Sequence, residues 1–126
     1  MAAGDPSTFL ATHPAALAFV RTPKASPTSF ATETYFGVTA FRFINQNGLA
    51  RYGRYRIMPE AGVEHLDDAT TKSKGENYLF DELTHRIAIA PIRFNTHIQI
   101  PDQGDIVDDA TIDWPGDRPV VRFGTV

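Results

Sequence analysis

Four histidines are the side chains of this sequence best suited to acid–base chemistry or to binding a metal ion. No two of them lie four residues apart and no H-E-x-x-H motif occurs, so the spacing typical of a zinc site is missing. We therefore expect solvated or hydrogen-bonded histidines, of which His97, on the polar side of a predicted strand, is the most exposed. The four histidines are His13, His65, His85 and His97.

Arginines are clustered on one predicted strand, where they could bind an anion. Arg51, Arg54 and Arg56 lie on this strand, and Arg42 lies across a hairpin from them. Guanidinium groups hold phosphate or propionate groups through paired hydrogen bonds. The alternative is that these arginines form ion pairs with Asp and Glu side chains across the strands.

Other site chemistries are weakly represented. The chain has no cysteine, which excludes thiolate nucleophiles, Cys-based zinc sites and Fe–S clusters. No serine lies in a G-x-S-x-G motif and no P-loop occurs, so a hydrolase or nucleotide triphosphatase is not indicated. Tyr52 and Tyr55 could ligate iron, but tyrosines in the middle of strands usually serve packing. An acidic loop resembles a calcium site in composition without the spacing of an EF-hand; its acids are Asp102, Asp105, Asp108, Asp109 and Asp113.

Length and composition indicate one globular domain. The chain has 126 residues, of which 42% are hydrophobic, and a net charge of −3. Its 12 basic against 15 acidic residues argue against a nucleic-acid partner. No apolar run is long enough to cross a membrane, and the first six residues lack the features of a secretory signal. We therefore expect a cytoplasmic protein.

The pattern of apolar residues predicts an α+β fold with a four-stranded antiparallel sheet and flanking helices. Asp5 is the predicted cap of a helical region at 5–21, which Pro14 divides into two helices or kinks at His13. A strand hairpin at 34–58 turns at Asn45–Gly48. A short helix is predicted within 66–74, a longer helix at 76–89, strands at 92–100 and 119–126, and an acidic loop at 101–116.

Two features of this predicted sheet look unfinished. Its first strand is apolar on both faces, so we expect it to be covered on both sides. Its last strand runs to the end of the sequence with an open row of backbone groups, which favours pairing with another chain. We therefore expect a homodimer that pairs through open sheet edges.

Several motifs together are similar to the haem catalase family, most closely to the small catalase-related peroxidase branch. They cover nearly the whole chain in order. The motifs are PTSF at 27–30, YFGVTAF at 35–41, FINQNG at 43–48, RYR at 54–56, NYL at 77–79 with EL at 82–83 and Arg86, GD at 104–105, DDAT at 108–111 and WP at 114–115.

The resemblance implies that residues 1–126 are a single partial catalase-core domain, the second half of an eight-stranded barrel. The family uses haem b. By resemblance, Val38 and Thr39 face the distal side of the haem and Ala110 approaches its edge, as packing contacts rather than ligands. Gly116 stands where larger catalases that bind NADPH often have a histidine, so NADPH is not predicted.

The family's distal histidine, distal asparagine and axial tyrosine have no counterpart in these motifs, and His13, Tyr52 and Tyr55 do not match them. Peroxide cleavage needs a base and an iron ligand. We therefore expect a catalase-related chain with little peroxide-decomposing activity alone and no stoichiometric haem. The alternative is a non-enzymatic half-barrel scaffold that homodimerises or binds a small apolar ligand.

Overall fold

Two short helices begin the part of the chain that the structure, a computed structural model, describes, namely residues 6–126. They are α1, Pro6–Thr12, and α2, Pro14–Arg21. The helices separate at His13 because Pro14, in the first turn of α2, has no N–H with which to continue α1. Asp5, the predicted helix cap, lies outside the described residues.

The segment after α2 contributes one strand of a small two-stranded sheet. Strand β1, Ser26–Pro27, pairs with β5, His65–Leu66. A 3₁₀ turn at Phe30–Thr32 follows β1, and the buried Ser29 caps it by accepting a hydrogen bond from the Ala31 N–H. This side-chain cap satisfies backbone donors that would otherwise be buried without partners.

The main sheet is antiparallel throughout and has five strands. The strands are β2, Tyr35–Phe36; β3, Phe41–Ile44; β4, Ala50–Pro59; β6, Phe94–Gln99; and β7, Val120–Thr125. Their order in the sheet is β2-β4-β6-β7, and β3 also pairs with β4.

The prediction of four strands is wrong by one, and residues 6–126 do not close into a barrel. The first predicted strand breaks after the Gly37 N–H donates to the Tyr55 carbonyl over 2.8 Å. The chain rejoins β4 only at Phe41, opposite Gly53. Because β2 and β3 follow one another along β4, the sheet remains four strands wide.

The two faces of this sheet are packed very differently. An irregular segment, residues 101–118, covers one face and buries Arg54, Gln99 and Trp114. Residues 6–126 do not cover the first predicted strand on both sides. Phe36 and Phe41 on this strand remain 63% and 50% exposed. The expectation that this strand is covered on both faces is therefore wrong for the described chain.

Helices α3, Asp68–Ser73, and α4, Tyr78–Ile89, connect β5 to β6. The Asp67 carboxylate caps α3 by accepting from the Thr70 N–H. The apolar stripe predicted on α4 is only partly buried, since Phe80 is 62% and Ile87 is 56% exposed. Within residues 6–126, none of the helices combines the length and the apolar character that crossing a bilayer demands.

Candidate functional site

A cavity of about 520 Å³ lies beside α2 and is here called the α2 cavity. One wall is formed by Ala15, Ala16 and Ala18, whose short side chains leave the space open. Val38 and Ala110, which are 72 residues apart in the sequence, both line the cavity as well. The structure therefore brings together two of the three residues that the sequence singled out.

Thr39, the third of these residues, is not in the lining of the α2 cavity and is exposed to solvent. The break between β2 and β3 explains the difference. The Gly37 backbone is tied to Tyr55, and a Cβ at Gly37 would lie 3.3 Å from the Tyr55 carbonyl oxygen. Val38 follows this close contact and reaches the cavity, whereas the next residue does not.

Arg54 holds the irregular segment 101–118, and with it Ala110, against the sheet. Its Nη1 donates to the Ile112 carbonyl over 2.8 Å and its Nη2 to the Asp109 carbonyl over 3.2 Å. Its guanidinium lies 4.2 Å from the centre of the Trp114 ring, a cation–π geometry. Arg54 thus positions one wall of the α2 cavity from beneath.

Further polar contacts fix the same segment. The Trp114 Nε1 donates to the Ile106 carbonyl over 2.7 Å, and the Gln99 Nε2 donates to the Pro115 carbonyl over 3.1 Å. Arg118 binds Asp105 through two hydrogen bonds of 2.7 and 3.0 Å. These hydrogen bonds from Arg118 lower the pKa of Asp105 to about 2, so the carboxylate is charged in the folded protein at neutral pH.

The arginine cluster does not form the cross-strand ion pairs that one sequence interpretation predicted. Arg54 bonds to backbone carbonyls rather than to a carboxylate. Arg56 lies over the Phe36 ring at 5.5 Å. Within residues 6–126, no ion pair joins Arg42, Arg51 or Arg56 to a carboxylate. The interpretation as cross-strand ion pairs is therefore wrong.

The four histidines are scattered, as their spacing indicated. His13 stacks on Phe9 at 3.9 Å, and the His65 Nε2 lies 2.8 Å from the Glu33 Oε2. His97 is half-buried while the other three are exposed, so the expectation that it is the most exposed is wrong. It lies between Arg56 and Arg122 of the neighbouring strands. In the described part of the chain, no three His, Asp or Glu side chains are grouped to hold a metal ion.

The lining of the α2 cavity suits the apolar body of a haem but offers no ligand for its iron. Six of the ten lining residues are alanine, phenylalanine or valine, and the polar ones are Thr22, Lys24, Thr111 and Asp113. It includes no tyrosine, histidine, cysteine or methionine, which are the residue types that ligate haem iron. Tyr55 packs among aromatic rings on the other face of the sheet.

Local sequence patterns gave no sign that Arg54 and Trp114 would be the buried anchors of this site. The two residues are 60 positions apart, and only the sheet register brings them together. Arg54 lies opposite Gln99 in the ladder between β4 and β6, and both side chains bind the segment that follows β6. A buried arginine with no acidic residue near it in the sequence produces no periodic pattern that would reveal its burial.

Comparison with known proteins gives a consistent set of relatives. No family model matches the chain. It is 38% identical over 100 residues to a catalase-related peroxidase of Synechococcus elongatus, covering 79% of the chain and 30% of the relative. It is 37% identical over 123 residues to a catalase-related peroxidase of Mycolicibacterium paratuberculosis, covering 95% of the chain and 39% of the relative.

A solved structure shares the fold. A bacterial catalase superposes with a TM-score of 0.76 at 20% sequence identity, over 94% of this chain and 26% of the catalase. The chain thus spans less than half the length of each of these relatives.

Proposed function

Because the chain belongs to the catalase family, we propose that its role is to form one apolar wall of a haem cavity, and that these 126 residues alone decompose little peroxide. The observation that carries this proposal is the α2 cavity, which Val38 and Ala110 both line. Apolar lining removes water from a bound ring and contributes binding energy in proportion to the buried area.

The chemistry of the lining supports the second half of the proposal. Haem supplies iron for reaction with peroxide when an axial ligand and a proton-transferring base accompany it. The residues around the α2 cavity offer no axial ligand for iron, and no histidine is among them to take the role of the family's distal histidine. Losing a catalytic group costs orders of magnitude in rate, so activity requires such groups from outside residues 1–126.

Haemin titration of the purified chain, combined with a peroxide-consumption assay, tests this function. We expect weak association without a sharp, stoichiometric Soret shift, and peroxide consumption close to that of free haemin. A one-to-one spectrum typical of tyrosinate-ligated iron, or vigorous oxygen evolution, would contradict the proposal.

A pair of matched variants tests whether the α2 cavity is the place where haemin associates. Ala16→Trp fills the cavity, whereas Ala11→Trp adds the same ring to an exposed position on α1 that does not line it. We expect Ala16→Trp to weaken haemin association at least about tenfold and Ala11→Trp to leave it unchanged. Equal effects of the two variants would remove the cavity from the proposal.

A non-enzymatic ligand-binding role is the second candidate, and the openness and apolar lining of the same cavity favour it. A small apolar molecule needs walls but no iron ligand, which matches the residues present. A fluorescent apolar probe that binds the chain, is displaced by alkanes or fatty acids, and is lost in Ala16→Trp supports this candidate. Displacement by haemin but not by these ligands supports the haem wall instead.

A further inference from the structure

The turn of the hairpin between β3 and β4 contains an asparagine followed directly by a glycine, Asn47–Gly48. Asparagine is a thermolabile residue, because the backbone nitrogen of the following residue can attack its side-chain carbonyl carbon and close a five-membered ring. A side chain on the following residue obstructs this attack, and glycine has none. The other three asparagines precede larger residues, in Asn45–Gln46, Asn77–Tyr78 and Asn95–Thr96.

The groups that would react are accessible in the folded turn. Asn47 and Gly48 are both exposed, and within residues 6–126 no hydrogen bond engages the side-chain amide of Asn47. Beyond the chain neighbours of Gly48, nothing lies within 4 Å of the place where its Cβ would stand. Because the reacting atoms belong to adjacent residues, their proximity does not depend on what else packs against the hairpin.

Asn45 restrains this turn through both its side chain and its backbone. Its Oδ1 accepts from the Asn47 N–H over 2.9 Å and from the Leu49 N–H over 3.0 Å. Its carbonyl accepts from the Gly48 N–H over 3.0 Å. Attack requires the Gly48 nitrogen to lose its proton and turn toward the Asn47 Cγ, so the closed turn opposes the reaction. Local opening of such turns costs little free energy, and the Asn45 bonds set how often it occurs.

We propose that Asn47 is a site of spontaneous deamidation and that the Asn45 side chain controls its rate. The Gly48 nitrogen forms a bond to the Asn47 Cγ and gives up its proton, the C–N bond of the side-chain amide breaks, and ammonia leaves. Water then adds to one of the two ring carbonyls and opens the ring, which leaves a carboxylate as aspartate or isoaspartate. An amide and water become a carboxylate and ammonium, with no change in oxidation state.

The product changes the hairpin in two ways. It adds one negative charge to a chain whose net charge is −3, and isoaspartate also adds one carbon to the backbone of the turn. The ladder between β3 and β4 begins directly outside this turn, with Ile44 opposite Ala50. Because turn geometry fixes hairpin register, the longer backbone weakens this pairing. The site lies away from the α2 cavity and does not depend on haem.

Peptide mapping by mass spectrometry, with fragmentation that distinguishes isoaspartate from aspartate, tests the site after the purified chain is incubated at mildly alkaline pH. We expect a gain of about 1 Da at Asn47, at a rate at least about tenfold above that of any other asparagine. Isoaspartate should exceed aspartate, since the ring opens at either carbonyl. No gain at Asn47, an equal rate at Asn45, or aspartate alone would overturn the proposal.

Variants of Asn45 test the control of the rate. Asn45→Ala removes two hydrogen bonds from the turn and should speed deamidation of Asn47 in the folded chain at least about fivefold. Asn45→Asp keeps an acceptor oxygen and should stay near the unsubstituted rate. The matched control is Asn77→Ala, because Asn77 is exposed and its side chain makes no capping bond to α4; its rate should be unchanged.

The same variants in guanidinium chloride separate the folded turn from the local sequence. Once the chain is unfolded, the turn is absent and all four proteins should deamidate Asn47 at one rate. Equal folded rates for Asn45→Ala and the unsubstituted chain would show that Asn45 exerts no control. A difference between them that persists in denaturant would assign the effect to neighbouring sequence and would also contradict the proposed role of Asn45.

Discussion

The two faces of the main sheet are made by the same strands yet are held together in opposite ways. On the covered face, Arg54 and Gln99 are each 5% exposed and bind the backbone of the irregular segment through charged and amide groups. On the opposite face, large rings meet one another but stay open to solvent. This aromatic face is formed by Phe41, Phe43, Tyr55 and Phe123. Polar contacts therefore complete one face, while the apolar face is left incomplete.

This difference shows what alternation along a strand can and cannot specify. Arg54 and Tyr55 are neighbours on β4, and their side chains point to opposite faces. The usual assignment puts the apolar side inward and the polar side toward water. Here the polar side is the buried one, because a segment with many backbone carbonyls lies over it.

Removing the Arg54 side chain should have the largest effect on the folded protein. Arg54→Ala deletes two charge-assisted hydrogen bonds and the contact with Trp114, and leaves the carbonyls of Asp109 and Ile112 without their donor. We expect the free energy of unfolding to fall by about 3 kcal/mol. Chemical denaturation at one fixed protein concentration measures it.

Arg51→Ala is the matched control, because Arg51 is an exposed arginine on the same strand and on the other face. We expect it to change the free energy of unfolding by less than about 0.5 kcal/mol. If the two alanine variants lose equal stability, the covered face does not depend on its buried arginine, and the contrast between the faces is wrong.

Gly53→Ala tests a place where the aromatic face is tightly packed. A Cβ at Gly53 would overlap the Ile98 Cγ2 methyl and lie 3.3 Å from the Phe43 ring. We expect a loss of about 2 kcal/mol, because overpacking forces neighbouring side chains or strands to move. Thermal denaturation measures the loss. Gly124→Ala on β7, whose added Cβ would meet nothing within 4 Å, should be neutral or slightly stabilising.

Trp114→Phe separates the polar from the apolar contribution of the anchor on the covered face. Phenylalanine keeps an aromatic ring beside Arg54 but loses the hydrogen bond from Nε1 to the Ile106 carbonyl. We expect a loss of about 1 kcal/mol in the free energy of unfolding, measured by denaturation followed by circular dichroism. A loss as large as that of Arg54→Ala would mean that Arg54 is not the dominant anchor of this face.

The sequence predicted the elements of this fold better than their packing. Helix α4 and the hairpin turn with Gly48 at a φ of 77° follow from local patterns. The break between β2 and β3 does not, because it depends on how closely the Gly37 backbone approaches Tyr55. Packing at that distance is a property of the assembled sheet.

The candidate site was predicted only through resemblance. Val38 and Ala110 carry no chemical signature of their own, since both are small apolar residues, and only the fold makes them neighbours. The charge pattern groups Arg54 with other arginines, but its partners are carbonyl groups 55 and 58 residues away. Hydrogen bonds from a side chain to distant backbone carbonyls cannot be predicted from residue types, because every residue has a carbonyl group.

The smallest predicted effect is a pH dependence of the melting temperature, caused by the Asp105 carboxyl group at the margin of the covered face. Bonding to Arg118 holds the pKa of Asp105 at about 2, below its ordinary value of 3.8. A carboxyl group with a lowered pKa in the folded state stabilises the fold above its unfolded pKa, and this contribution is lost as the pH falls from about 4 to about 2. Asp105→Asn should therefore lower the melting temperature at pH 6, and its melting temperature should converge with that of the unsubstituted protein near pH 2.

Asp117→Asn is the control, because Asp117 contacts the same Arg118 at 3.3 Å but its side chain is 81% exposed. Its melting curve should follow the unsubstituted protein at every pH, since exposed ion pairs contribute little. If both variants lose the same stability at pH 6, the hydrogen bonds between Asp105 and Arg118 contribute nothing specific to holding the segment on the sheet.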